Sequence, residues 1–107
     1  MRERTLVKDL AAKADGPVTV GGWVEKLRDQ KRIQFVIVRD ETGDVQVTYP
    51  RPVINEEPDL DDALAATISG LTNGSFVWIT GELVHDERVK LGGLEIKLQN
   101  LEVVTLA

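Results

Sequence analysis

Residues 18–49 read VTVGGWVEKLRDQKRIQFVIVRDETGDVQVTY, three β-rich runs separated by two short polar breaks. In the first run, 18–27, Val18, Val20 and Val24 fall on one face and Thr19, Trp23 and Glu25 on the other. That is the period of two expected of a half-buried strand. The Gly21-Gly22 pair inside it predicts a bulge or sharp bend at that point. Residues 28–32 are polar and turn-like, and residues 33–39, IQFVIVR, are apolar on both faces at their centre. Glu41-Thr42-Gly43-Asp44 reads as a turn in which Gly43 is free to take positive φ. Residues 45–49 make a third strand. Connections this short join neighbours, so the three runs form an antiparallel meander.

Outward from the meander, Pro50 and Pro52 end the third strand. Pro58-Asp59 then opens a helix, with Asp59 as N-cap and Asp61 and Asp62 near its positive end. Leu60, Leu64, Ile68 and Leu71 recur at helical spacing as one apolar stripe, and Asn73-Gly74 stops it. Residues 75–85 are a fourth strand. A loop, 86–93, closes on Gly92-Gly93. Residues 94–105 are a fifth strand, with Leu94, Ile96 and Leu98 opposite Glu95, Lys97 and Gln99. Ahead of the meander, residues 5–14 suggest a short helix using Leu6 and Leu10. The order is helix, three strands, helix, two strands. This predicts an all-β fold, a five-stranded OB-fold Greek-key barrel with an N-terminal helix and a helix between strands three and four; such barrels bind oligonucleotides on strands two and three.

A chain of 107 residues is one ordinary domain, 1–107. The absence of cysteine removes disulfide scaffolds, Cys-based zinc sites and thiol chemistry. One histidine, His85, rules out a His-rich metal site. No apolar run reaches the length of a membrane span, and no apolar segment follows Met1-Arg2-Glu3-Arg4, so a cytoplasmic location is expected. The net charge of −5 argues at first against nucleic acid. Its distribution argues otherwise. Glu56, Glu57, Asp59, Asp61 and Asp62 account for all five net negatives, while residues 26–39 set Lys26, Arg28, Lys31, Arg32 and Arg39 against Asp29 alone, a local +4. A solvated charged hairpin has the same composition.

For catalysis the sequence offers little. It contains no GxGxxG, P-loop, HExxH or GxSxG motif, and neither a cofactor nor a metal is expected. His85, beside Asp86 and Glu87, is either a general base or a surface histidine. Nucleic acid is better served, since single strands are held by aromatic stacking in a cationic groove and bases are read by amide, carboxylate and guanidinium groups. The second strand carries Phe35, the third Gln46, the first turn Arg28 and the fifth strand Glu95. Each also has a plain reading: Phe35 as core, Gln46 as a solvent-facing strand position, Glu95 as a partner of Lys97.

The run Gly22-Trp23-Val24, Arg28-Asp29, Phe35, Arg39-Asp40-Glu41-Thr42-Gly43 and Val45-Gln46-Val47 resembles the N-terminal anticodon-binding domain of aspartyl-tRNA synthetases, in the subclass shared with the asparaginyl and lysyl enzymes. The stretches 71–81, 93–96 and 101–103 are similar to later parts of the same domain. The resemblance implies that Phe35 stacks on the central anticodon uridine, that Gln46 hydrogen-bonds that base, and that Arg28 and Glu95 hold the flanking bases. Lys26, Lys31, Arg32 and Arg39 are then candidate phosphate contacts. It implies a tRNA of Asp or Asn type as partner, with a synthetase catalytic domain as a second one. It also implies no ligation by this chain itself, whether excised or free-standing. Two other functions stay open on the residues: a general single-strand binder, and a protein-interaction barrel without RNA binding. If the resemblance holds, Phe35 is exposed or semi-exposed on the barrel face and shares that face with Gln46, and the acidic residues 56–62 lie away from it.

Overall fold

The meander folds in the order read. In the computed structural model, which describes residues 4–90 and 92–107, β1 (Gly16–Asp29), β2 (Ile33–Asp40) and β3 (Gly43–Pro50) are antiparallel neighbours. Met1, Arg2 and Glu3 of the charged N-terminal run, and Leu91 in the 86–93 loop, lie outside the described residues. Later in the chain come β6 (Phe76–His85) and β7 (Leu94–Thr105). A parallel pairing of β3 with β7, and antiparallel pairings of β7 with β6 and β6 with β1, close the barrel in the order β1-β2-β3-β7-β6. This is the five-stranded all-β barrel the periodicity predicts.

Its interior is aliphatic. Val18, Val20, Val24, Val36, Val38, Val45, Val47, Val77, Ile79, Leu83 and Ile96 are all at most 4% exposed. A narrow barrel is filled by alternate side chains from every strand, and β-branched valines suit that space. None of the five aromatic residues belongs to the buried core. Burial of this aliphatic surface is the main force holding the fold together, at roughly 25 cal/mol per Å² removed from water.

Four local expectations need correction. The N-terminal helix α1 is one turn, Val7–Leu10, rather than residues 5–14, and it buries Val7 and Leu10 while Leu6 is only half-buried. The buried pair lies three apart, on one helical face. Asp40 fixes the helix start: its carboxylate accepts from the Val7 N–H at 2.8 Å and from Thr42 and Gly43 in the β2–β3 turn.

The bulge in β1 falls at Glu25 instead of at Gly21-Gly22, for Val24 pairs with Val38 and Lys26 with Ile37. The two glycines answer to close packing. A Cβ on Gly22 would lie 2.6 Å from the Arg39 carbonyl oxygen, and one on Gly21 2.8 Å from the Trp78 ring.

Between β3 and the second helix stands an unforeseen two-stranded ribbon, β4 (Val53–Ile54) with β5 (Glu57–Pro58). Its two turn residues, Asn55 and Glu56, have φ of 51° and 67°, the positive values a two-residue hairpin requires.

The second helix, α2 (Ala63–Ser69), is capped by Asp62 and not Asp59. One Asp62 oxygen accepts both the Ala65 N–H at 3.0 Å and the Tyr49 hydroxyl at 2.7 Å. That tie selects between two equally good capping residues. Asp59 instead accepts from the Asp61 N–H. Leu60, read as part of the apolar stripe, precedes the helix and is 84% exposed, and the buried face is Ala65 and Ile68, followed by Leu71.

Candidate nucleic-acid interface

The bulge at Glu25 decides which side chains reach the outer face. Side chains alternate along a strand, and a bulge takes one residue out of that alternation, so the parity of inward positions switches after it. Val24 points inward. In a regular strand of the same sequence Lys26 and Arg28 would do the same. With Glu25 taken up in the bulge they point outward, and Leu27 packs against the core.

Two cross-strand rows result. One runs Lys26, Ile37, Gln46, Glu95 across β1, β2, β3 and β7; the other runs Arg28, Phe35, Thr48, Lys97. Directly opposed residues in a sheet have Cβ atoms about 5 Å apart, so Phe35 and Gln46 are diagonal neighbours on one surface. Lys26, Arg28, Phe35, Ile37 and Gln46 line a pocket of about 260 Å³. Phe35 is half-buried, with its ring on the outer side of β2. Glu95 faces the same side from β7, beyond Gln46, and is half-buried; it stands outside the pocket lining. Thr48 is outward by register yet only 3% exposed.

The cations differ in how they are engaged. Lys26, Arg28 and Arg32 make no ion pair among the described residues. Arg39 stands one row further along, opposite Trp23, with a guanidinium nitrogen 3.8 Å from Glu25. Lys31 lies 3.3 Å from a Glu57 carboxylate oxygen. The acidic stretch therefore touches the basic turn, contrary to the separation expected for residues 56–62. Asp59, Asp61 and Asp62 gather instead around the start of α2. There the Tyr49 hydroxyl is pushed up to about 12, first by burial and then by the Asp62 carboxylate it donates to.

Sequence reading missed what lies behind the pocket. Gln34 is fully buried in phase with Val36 and Val38. Its amide nitrogen donates to Asp29 at 3.1 Å, to the Ala65 carbonyl at 3.0 Å and toward the Ser69 hydroxyl at 3.0 Å. A lone polar residue at a core-phase position was the available signal.

His85 does not have the surroundings of a general base. Its Nδ1 meets Asp15 and its Nε2 faces the Ala11 carbonyl, so both ring nitrogens are placed to donate. The hydrogen bond to Asp15, chiefly, lifts its pKa above the usual value. Through these contacts His85 latches the segment that follows α1 to the end of β6. Among the described residues no cluster of acidic or histidine side chains is arranged to hold a metal ion, and no helix is long and apolar enough to cross a membrane.

Residues 18–104 match the family model described as an OB-fold nucleic acid binding domain. The whole chain is 36% identical over 107 residues to the aspartate–tRNA(Asp/Asn) ligase of Haloferax volcanii, covering 23% of that protein. It is 34% identical over 103 residues to the asparagine–tRNA ligase of Desulforamulus reducens, covering 96% of this chain and 22% of the ligase. The asparaginyl-tRNA synthetase of Pyrococcus horikoshii, solved with asparaginyl-adenylate, superposes with a TM-score of 0.83 at 27% identity, over all of this chain and 23% of the synthetase. The chain thus spans less than a quarter of the length of the ligases it matches.

Proposed function

The chain belongs to the tRNA anticodon family of OB-fold nucleic acid binding domains, and from this premise we propose that its outer β1–β2–β3–β7 face binds the anticodon loop of an aspartate- or asparagine-type tRNA. The observation that carries the reading is the pocket in which Phe35 and Gln46 sit side by side, flanked by Lys26 and Arg28. Phe35 supplies a stacking surface, worth about 1–3 kcal/mol per base. Gln46 offers both a donor and an acceptor, which matches a uracil edge. Glu95, in register with Gln46, accepts from a base N–H, and Arg28 contacts a flanking base. Lys26 and Arg32 meet phosphate, with Arg39 and Lys31 contributing once they leave their carboxylate partners.

The ligase activity in the relatives' names belongs to proteins of which this chain covers 23% or less. The role proposed for these residues is recognition, in partnership with the catalytic part of such a ligase and in the cytoplasm. Titrating aspartate- and asparagine-type anticodon stem-loops and a polypyrimidine strand against the protein tests the proposal. Preference for a stem-loop supports it. Equal binding of all three points to a general single-strand binder, and binding of none to a barrel that meets protein instead.

A further inference from the structure

We propose that Gln34, Asp29 and Arg51 are positioning residues for the nucleic-acid face: they fasten the β1–β2 turn to α2 and hold Arg28 beside Phe35. The claim rests on the binding reading above. Its geometric basis is the register. Arg28 pairs with Phe35, and the next pair along the same ladder is Asp29 with Gln34. Gln34 therefore sits buried immediately behind the outward pair, with Asp29 beside it at the exposed end of β1.

The three side chains form one network. Gln34 Nε2 donates to Asp29 Oδ1 and to the Ala65 carbonyl. Both are acceptors only, which fixes the orientation of the amide. Arg51 Nη1 reaches the same Asp29 oxygen at 3.2 Å and the Gln30 carbonyl at 3.4 Å. The turn is closed by Gln30 N–H to the Ile33 carbonyl at 3.2 Å, and by Arg51 N–H to the Arg32 carbonyl at 2.9 Å. Through these contacts the basic turn is tied to α2 and to the segment after β3 at once.

As a source of stability the arrangement is poor. Gln34 Oε1 and Arg51 Nε are buried with no hydrogen-bond partner among the described residues. Buried polar groups left unpaired are costly and offset part of what the network's hydrogen bonds contribute. A leucine at position 34 would remove the orphaned Oε1 and pack with Val36 and Val38, while giving up the contacts to Asp29, Ala65 and Ser69, so the net change in stability is small. What the glutamine adds is a directional hold on the turn that carries Arg28.

The test compares the parent protein with Gln34→Leu and Arg51→Met, each with and without Arg28→Ala. It reads affinity for an aspartate-type anticodon stem-loop, melting temperature, and amide exchange at Gln30 and Arg51. Gln34→Leu is expected to melt within about 5 °C of the parent and to lose roughly tenfold in affinity. Exchange at Gln30 and Arg51 should quicken, and Arg28→Ala should cost less in this background than in the parent. Arg51→Met asks the same of the other end of the network should Gln34→Leu fail to fold. Parental affinity in the folded variants, or a loss that merely follows the unfolded fraction, overturns this proposal alone. A parent that ignores the stem-loop overturns the binding reading and this proposal with it.

Discussion

Lys26 stands opposite Ile37 although Val24, two residues earlier, stands opposite Val38, its strict one-to-one partner. The bulge takes up Glu25, so Lys26 and Arg28 project outward where a regular strand of the same sequence would aim them at the core. Deleting Glu25 removes the extra residue and leaves Val24 opposite Val38 and Lys26 opposite Ile37 in plain alternation, with Lys26 and Arg28 still outward. The deletion is therefore expected to keep the β1–β2 register and a melting temperature close to the parent's, losing only the local bend and the Glu25–Arg39 contact. Thermal melts, with amide exchange along β1 and β2, check this. A deletion variant that unfolds, or that slips β1 by one residue, would show that the register does not rest on the pairing of Val24 and Lys26 alone.

Phe35 and Val36 are adjacent and face opposite ways. Val36 is 1% exposed inside the barrel, whereas Phe35 is half-buried on the pocket wall. Phe35→Ala is expected to weaken stem-loop binding by about 1–3 kcal/mol with little change in melting temperature. Val36→Ala is expected to do the reverse, costing about 2 kcal/mol of stability and leaving the affinity of the folded fraction as it was. Fluorescence anisotropy and thermal melts on the two variants separate the roles. If Phe35→Ala proved the more destabilising of the two, Phe35 would be core.

That pair also marks how far the sequence could be read. The alternation of valines identifies the barrel strands and their order, because every strand must bury one face. Phe35, Gln46, Arg28 and Glu95 could be brought to one surface on paper because three of them lie on strands of known order. The position of the bulge could not, since the Gly21-Gly22 pair that suggests one is there for the close approach of Trp78 and the Arg39 carbonyl, while the bulge itself falls at Glu25. The β4–β5 ribbon escaped because its turn uses Asn55 and Glu56 where glycine is the usual signal. Asp62 rather than Asp59 caps α2 because Tyr49 reaches it across the fold. Gln34, which falls within the second strand, gives no sign of its role in sequence because its partners on α2 come more than 30 residues later.

The Lys31–Glu57 contact makes the basic turn tunable. Both side chains are well exposed, at 58% and 71%, so the pair itself is worth little, about 0–1 kcal/mol. Its effect on binding is larger in kind, because it neutralises one cation near the proposed path of the RNA. Glu57→Gln is expected to raise affinity modestly at low salt. It should also steepen the salt dependence by about 0.7 in log K against log salt, one additional phosphate contact on a single strand. From two or three contacts the parent slope should be roughly −1.4 to −2.1. Titrations at several salt concentrations read both numbers. An unchanged slope in Glu57→Gln would place Lys31 away from the phosphates.

The N-terminal segment is held at both ends by titrating groups of opposite sense. At one end the Asp40 carboxylate accepts from Val7, Thr42 and Gly43; burial pushes its pKa up, but the hydrogen bonds together outweigh burial and leave it below the usual carboxylate value. A depressed acid contributes stability above its unfolded pKa of about 3.9, and that contribution is lost as pH falls through the lower folded value. At the other end His85 is raised, first by its hydrogen bond to Asp15 and then by the Ala11 carbonyl, with slight burial opposing. A raised base contributes fully below its unfolded pKa of about 6.5, and the contribution is lost as pH rises through the higher folded value. Melting temperature should therefore fall on both sides of a weakly acidic optimum. His85→Gln should flatten the alkaline limb. It should also trim the acid limb, because the same contact holds Asp15 low. Asp40→Asn should flatten only the acid limb and leave the alkaline one as in the parent. Melts from about pH 3 to 9 on the three proteins decide it. An alkaline limb that survives in His85→Gln would assign it to some other group and release His85 from its role as a latch.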